Sequence, residues 1–239
     1  MDDHKTKGMG YALKFLTRYA QEGDEFLDSI VTGDEKFVFH HTPGSKQQSL
    51  QWRHTHSPRN KKLKTSISVK KIMASVFWGR KGILLVNFMP PGSTINAAAY
   101  YDALTRLRRA IQNKRWGMLS RGTCLLHDNA RPHSKHVTTA LQEKFKWDIL
   151  DHPPYSPYLA HSDFHLFLHL KKHLSGKKFD EDDEVQEVMM WFKEWRQTSM
   201  TRGYRSWFQD LINVWTMPAT MLKNKVMYRQ FIHSVAFVN

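Results

Sequence analysis

Apolar positions Met9, Leu13, Leu16 and Ala20 recur at helical spacing between Lys5 and Ala20, predicting a helix that Gly23 and Asp24 interrupt. From Phe26 to His40 the pattern changes. Ile30, Val31, Phe37, Val38 and Phe39 flank Thr32-Gly33-Asp34-Glu35, which predicts a strand carrying an acidic group in mid-sheet. Thr42-Pro43-Gly44-Ser45 predicts a turn, Ser49 to Trp52 a returning strand, and Ile72 to Met89 two more strands hinged near Gly79-Arg80-Lys81-Gly82. A helix opens at Thr94-Ile95-Asn96. Tyr100, Leu104, Leu107 and Ile111 share one face of it, while Arg106, Arg108, Arg109, Lys114 and Arg115 are left for solvent or phosphate. Thr123 to His127 reads as a short strand ending at Asp128, Pro132 and Ser134 introduce a helix to about Lys146, and Trp147 to Leu150 is another strand. A Pro-rich crossover then leads to a helix holding Asp163, and the acidic run 180–184 reads as the solvated start of a last helix. The order meander, helix, strand, helix, strand, helix predicts an α/β fold, a mixed β-sheet flanked by helices.

Composition narrows the setting. A chain of 239 residues with 41% hydrophobic content can bury one large core. Cys124 is the only cysteine, so neither a disulfide framework nor a Cys-rich zinc site is available, and a reducing compartment is expected. No stretch approaches the ~18 apolar residues of a membrane span, and the first residues lack an apolar signal core, so neither membrane insertion nor secretion is expected. Lys and Arg outnumber Asp and Glu 36 to 22, a formal charge of +14. That balance suits a polyanion such as nucleic acid, and equally a basic soluble protein without such a partner. Lys61, Lys62, Lys64, Lys70 and Lys71 can form a track along a DNA backbone, a nuclear-import patch or a solvated loop. Trp78, Trp116, Trp191 and Trp195 read as core or surface-packing residues rather than base-stacking platforms.

Candidate chemistry rests on carboxylates. Asp34 and Asp128 occupy strand positions and Asp163 a helix start, an arrangement that can converge at one edge of a mixed sheet. Hard divalent cations take oxygen ligands, and Mg²⁺ binds through one or two carboxylates together with substrate phosphate oxygens. Any one of these residues alone is more often a turn-former or a helix cap. The histidines, 14 in all and including His40, His41, His54, His56 and His133, raise a zinc hydrolase as an alternative, but none shows the spacing of a zinc-binding helix.

The neighbouring motifs decide between these. EFLDSIV and TGDEKFV at 25–31 and 32–38, LLHDNARPH at 125–133 and HPPYSPYLAHSDFHLF at 152–167 resemble the three catalytic motifs of mariner transposases, with that family's 34 residues between Asp128 and Asp163. KQQSLQWRH at 46–54, VFWGRKGILLV at 76–86 and AIQNKRWGML at 110–119 extend the similarity over roughly residues 5–194. The resemblance implies a ribonuclease H-like fold and DNA as partner. It also implies catalytic, metal-ligating Asp34, Asp128 and Asp163 holding two Mg²⁺ or Mn²⁺ ions, with Asp34 bridging both. The implied chemistry is phosphodiester hydrolysis followed by strand transfer to target DNA, in the nucleus. His127 and Asn129 are supporting candidates, able to contact DNA or to orient a ligand.

Departures from the family shape the remaining expectations. Tyr158 and His161 replace the usual Asp and Pro before the third carboxylate, and Gly79 and Asn87 replace usual acidic residues. Residues 1–24 are expected to be a lead-in helix, the remnant of an interdomain linker, and residues 25–194 the catalytic domain. Residues 195–239 are expected to be a divergent, frameshifted tail, because codons available to 195–225 can spell the family's C-terminus in another frame. Trp207, Phe208, Leu211, Ile212 and Trp215 there are expected to form an exposed apolar patch. The family's N-terminal recognition modules are not found in this sequence, so impaired transposition, weakly specific DNA binding and weakened homodimer formation are expected. A catalytically silent DNA-binding protein and a non-functional remnant are the alternatives to an active enzyme.

Overall fold

A strand buried on both faces needs a helical layer on each side of its sheet, and the central strands of this chain are of that kind. A computed structural model describes residues 2–39, 71–150, 166–177, 183–194, 206, 207 and 209. Helices α1 (Asp2–Glu22) and α2 (Asp24–Ser29) lead into β1 (Ile30–Phe39), β2 (Lys71–Gly79) and β3 (Gly82–Phe88). Then follow α3 (Ala97–Lys114), α4 (Met118–Arg121), β4 (Cys124–Leu126), α5 (His136–Phe145), β5 (Asp148–Leu150), α6 (Phe167–Leu174) and α7 (Asp183–Glu194). The strands form one sheet in the order β3-β2-β1-β4-β5. β1, β2 and β3 pair antiparallel, whereas β4 is parallel to both β1 and β5. This mixed sheet with helices on both faces is the ribonuclease H-like fold.

Alternation along the strands assigns each face its layer. Ile30, Val76, Trp78, Cys124 and Leu126 join a cluster with Phe15 of α1, Phe26 of α2, Phe167 and Leu170 of α6, and Trp191 of α7. Their neighbours Val31, Phe77 and Leu125 point the other way, into a cluster with Tyr100, Leu104, Leu107 and Ile111 of α3 and Leu141 of α5. Asn96 caps α3, its side chain accepting the Ala99 N–H at 2.9 Å. Gly33 lets β2 approach: a Cβ there would lie 2.6 Å from the Phe77 ring. Gly79 is also sterically required, since a Cβ would meet the Ile30 carbonyl oxygen at 2.8 Å, so an acidic residue could not enter without a backbone shift. At the other departure, Asn87 accepts a hydrogen bond from Arg106 Nη1 at 2.7 Å.

The structure differs from the sequence expectation in three places. Residues 26–29 are helical, not strand. After the break at Gly23 (φ 62°) the chain makes a short helix that buries Phe26 and Leu27 side by side, with Asp24 and Glu25 in its positively polarised first turn. Trp207 belongs to no exposed patch. It is fully buried, edge-on to Phe15 with ring centroids 4.8 Å apart. Trp78 and Trp191 are core residues, but Trp116 is 90% exposed. Cys124 is free and buried, and burial pushes its thiol up, against a hydrogen bond from Ser29. The turn at Thr42–Ser45, the strand at Ser49–Trp52, the basic cluster through Lys70, the Pro-rich crossover and Trp195 lie outside the described residues. No helix among the described residues is long and apolar enough to cross a membrane.

Because Trp207 joins α1 and α2 in one core, Trp207→Ala is expected to lower unfolding free energy by about 3–5 kcal/mol, the range for deleting a buried Trp. Urea denaturation followed by circular dichroism checks this. A change under about 0.5 kcal/mol, typical of surface positions, would show that this residue does not pack.

Candidate metal centre

β1 is the strand at which the sheet changes sense, antiparallel to β2 on one side and parallel to β4 on the other. Beyond the carboxyl ends of such parallel strands the connections part, and a cleft opens at the switch point. The β1–β4 pairing ends at Thr32↔Leu126. Asp34 and Asp128 each stand two residues past that last pair, so the register brings both to the same edge. Asp34 lies further along β1, opposite Val76 of β2, which holds its backbone in the sheet. It is half-buried, and its Oδ1 accepts the Glu35 N–H at 2.7 Å. Asp34 and Glu35 leave opposite faces of β1, the first toward the α6 side and the second toward α3 and α5.

Asp128 is aimed by the loop that follows β4. Its Oδ1 accepts the Ala130 N–H at 3.0 Å, an Asx turn, and His133 Nδ1 at 2.6 Å. Both bonds fall on one oxygen, which leaves Oδ2 for a cation. The His133 side chain is only 1% exposed, and its Nε2 sits 3.3 Å from Glu35 Oε2. That is charge-pair distance, without the alignment of a hydrogen bond. Burial works against the imidazolium here, but the Asp128 and Glu35 carboxylates outweigh it and hold His133 up at about 10. Reciprocally, the hydrogen bond from His133, against the cost of burial, keeps the Asp128 carboxyl below its ordinary range.

Tyr100 closes the network from below. Its ring lies 4.0 Å from that of His133 and 5.9 Å from that of His127, centroid to centroid. Burial pushes its phenol well above the usual value, and the negative field of Glu35, Asp128 and Asp34 adds to the effect. His127 is buried, with Nε2 3.3 Å from Gln142 Nε2 and Nδ1 2.9 Å from the Asp128 carbonyl oxygen. Since the Gln142 amide nitrogen can only donate, His127 Nε2 accepts and Nδ1–H donates to the carbonyl: a neutral tautomer holding the Asp128 backbone.

These positions bear on the sequence candidates as follows. The register places Asp34 and Asp128 at one edge of the sheet; His127 is buried with Nδ1 against the Asp128 carbonyl, and Asn129 is exposed. Asp163, Tyr158 and His161 lie outside the described residues. The described chain resumes at buried Leu166, and Phe167 lies under Lys36 Nζ at 5.4 Å, on the face of β1 that Asp34 shares. Glu35, His133, Tyr100 and Gln142 were not expected as a unit. The period-two offset of Glu35 from Asp34 was readable, but its partner lies 98 positions away. Among the described residues no three His, Cys, Asp or Glu side chains form a ready metal cage. A pair of carboxylates fits Mg²⁺ or Mn²⁺, which keep waters and recruit substrate oxygens.

The family model "Transposase (partial DDE domain)" matches residues 42–121. The chain is 34% identical over 182 residues to the Mariner Mos1 transposase of Drosophila mauritiana, covering 75% of this chain and 50% of that protein. It is 31% identical over 193 residues to the human histone-lysine N-methyltransferase SETMAR, covering 80% of this chain and 27% of that protein. It thus spans half or less of these curated relatives. Among solved structures, a pre-cleavage Mos1 transpososome matches with a TM-score of 0.83 at 29% identity, over 90% of this chain and 62% of that one. The Mos1 catalytic domain with Raltegravir and Mg matches with a TM-score of 0.74 at 28% identity, over 90% of this chain and 94% of that one.

Replacing His133 by Ala leaves the partly buried Glu35 near a second carboxylate without this counter-charge. The expected loss of stability is on the order of 2–4 kcal/mol, toward the low side of buried-pair values because Asp128 is largely exposed. Chemical denaturation in metal-free buffer measures it. An unchanged midpoint would mean that the imidazolium does not hold these groups.

Proposed function

The chain belongs to the mariner transposase family, and from that premise we propose that it is a metal-dependent DNA-processing domain that hydrolyses phosphodiesters and transfers strands. The observation that carries this reading is the placement of Asp34 and Asp128 on neighbouring parallel strands, each two residues beyond the last pair. Asp163 would complete the set, entering from the segment that leads into α6. Solved Mos1 structures with Mn and with Mg support the same choice of ions, and the transpososome and strand-transfer complexes support DNA as the substrate.

Asp34, Asp128 and Asp163 would hold two Mg²⁺ or Mn²⁺ ions. What these supply when bound is charge stabilisation at the attacking and leaving oxygens of a phosphodiester. The remaining work belongs to the protein. β1 fixes Asp34 within a paired strand, so this carboxylate needs little reorganisation. His133 and the Ala130 N–H clamp Oδ1 of Asp128 and present Oδ2. The imidazolium keeps Asp128 deprotonated, and neutral His127 braces the peptide that carries it. Water, and later a 3′-hydroxyl, serves as nucleophile, so no covalent enzyme intermediate is required. A charge of +14 draws the polyanion in without selecting a sequence.

Supercoiled plasmid DNA offered with Mg²⁺ or Mn²⁺ is expected to be nicked by the purified chain. Asp34→Asn and Asp128→Asn should each reduce the rate by at least about a hundredfold, since even residues behind metal ligands cost tenfold to a hundredfold. EDTA should abolish nicking, and Asp102→Asn, an exposed acid on α3, should leave it unchanged. Equal nicking by all variants would reject the enzyme; metal-independent binding without nicking would favour a silent DNA-binding protein.

A further inference from the structure

The other end of the sheet carries a polar cleft. At the amino ends of β1, β4 and β5, a cavity of about 400 Å³ is bounded by Ser29, Thr123, Cys124 and Asp148 at its base. It falls within the ~300–1,000 Å³ range of ligand sites. Ser29 immediately precedes β1, and Ile30 lies four residues from Asp34 along that strand, about 13 Å at strand rise, so this cleft is separate from the metal centre.

Its two walls differ in charge. On the α1–α2 side the acids are paired: Arg18 bonds Glu22 and Asp148, and Lys81 lies 2.7 Å from Asp28. The α3–α4 side and the turn after α5 present Arg115, Arg121 and Lys146. None of these three has a carboxylate within ion-pair distance among the described residues; Glu25 lines the opposite wall, and Asp28, itself paired with Arg80 and Lys81, lies near enough to act on Arg115. Arg115 donates to the Lys81 carbonyl and Arg121 to the Gly117 carbonyl at 3.4 Å, so both guanidiniums are positioned but not neutralised. Between them stands Trp116, 90% exposed. Large aromatic rings are seldom left this bare. Gly117, in the left-handed region at φ 80°, turns the chain immediately after Trp116, so the ring projects at the rim instead of following α3 into the core.

An unpaired aromatic face flanked by uncompensated cations is the chemistry of a single-stranded nucleic acid site, with a base stacked on the ring and phosphates on the guanidinium and ammonium groups. We propose that this cleft, with Trp116 as stacking platform and Arg115, Arg121 and Lys146 as phosphate contacts, binds unpaired DNA at the end of the sheet opposite the metal centre. Duplex DNA lacks the free base face that Trp116 requires. The site extends the reading of the chain as a DNA-processing domain, yet its chemistry needs no metal.

Binding of a fluorescein-labelled oligo-dT of 12 nucleotides, measured by anisotropy in EDTA, tests it without invoking nicking. Trp116→Ala is expected to weaken binding roughly tenfold or more, as for loss of one stacked base, and Trp116→Phe to restore most of it. Arg121→Gln should lower the slope of log affinity against log salt by about 0.7, one single-strand phosphate contact. An oligonucleotide carrying 5-iododeoxyuridine should photocrosslink at Trp116. Unchanged affinity in Trp116→Ala with crosslinks only elsewhere would overturn the proposal, whatever the plasmid assay gives. So would self-association that Trp116→Ala abolishes while oligonucleotide binding is unaffected, because the ring would then serve a second copy of the chain.

Discussion

The parallel pairing of β1 with β4 is the constraint on which the rest of the molecule depends. A meander alone would leave Asp34 on an edge strand with one antiparallel neighbour and no switch point at its end. Adding β4 in the opposite sense to β2, with Ile30↔Cys124 through Thr32↔Leu126 in register, makes β1 a switch strand and brings Asp128 to the carboxylate already on it. That addition needs a crossover, and α3 supplies it by burying Tyr100, Ala103, Leu104, Leu107 and Ile111 against the sheet. Tyr100 thus has two roles, filling the core beneath the switch point and packing against the imidazole that aims Asp128.

Two carboxylates meeting at one edge repel unless something answers their charge. A metal does so only when bound, whereas His133 does so in the protein alone, between Asp128 on one ring nitrogen and Glu35 at the other. Its near-complete burial excludes competing water and strengthens both interactions. The Asp128 side of the site is therefore held by a buried cation on one face of β1, while Asp34 leaves the opposite face.

Much of this was legible in the sequence, for local reasons. The apolar stripe Tyr100, Leu104, Leu107 and Ile111 announced α3, the Gly79–Gly82 hinge announced the β2–β3 hairpin, and the short apolar run before Asp128 announced β4. The family resemblance connected Asp34 with Asp128. What escaped was set by long-range contacts. Residues 26–29 carry strand-like apolar content but turn helical, because Gly23 breaks α1 and the hydrophobic pair Phe26–Leu27 has a core to enter. Trp207 sits in a tail whose sequence suggested no packing, yet Phe15, almost two hundred residues earlier, gives it a partner. Trp116 went the other way, since composition favours a buried Trp and only the placement of α4 shows it bare. The Glu35–His133 link joins residues that no periodicity relates.

The most direct measurement of the central claim is the location of a bound ion. Crystals soaked in Mn²⁺ and examined by anomalous diffraction are expected to show a peak within direct-ligand distance of both Asp34 and Asp128, lost in Asp128→Asn and unaffected by Trp116→Ala. A peak on the imidazoles of His127 or His133, or no peak between the two carboxylates at saturating Mn²⁺, would contradict it.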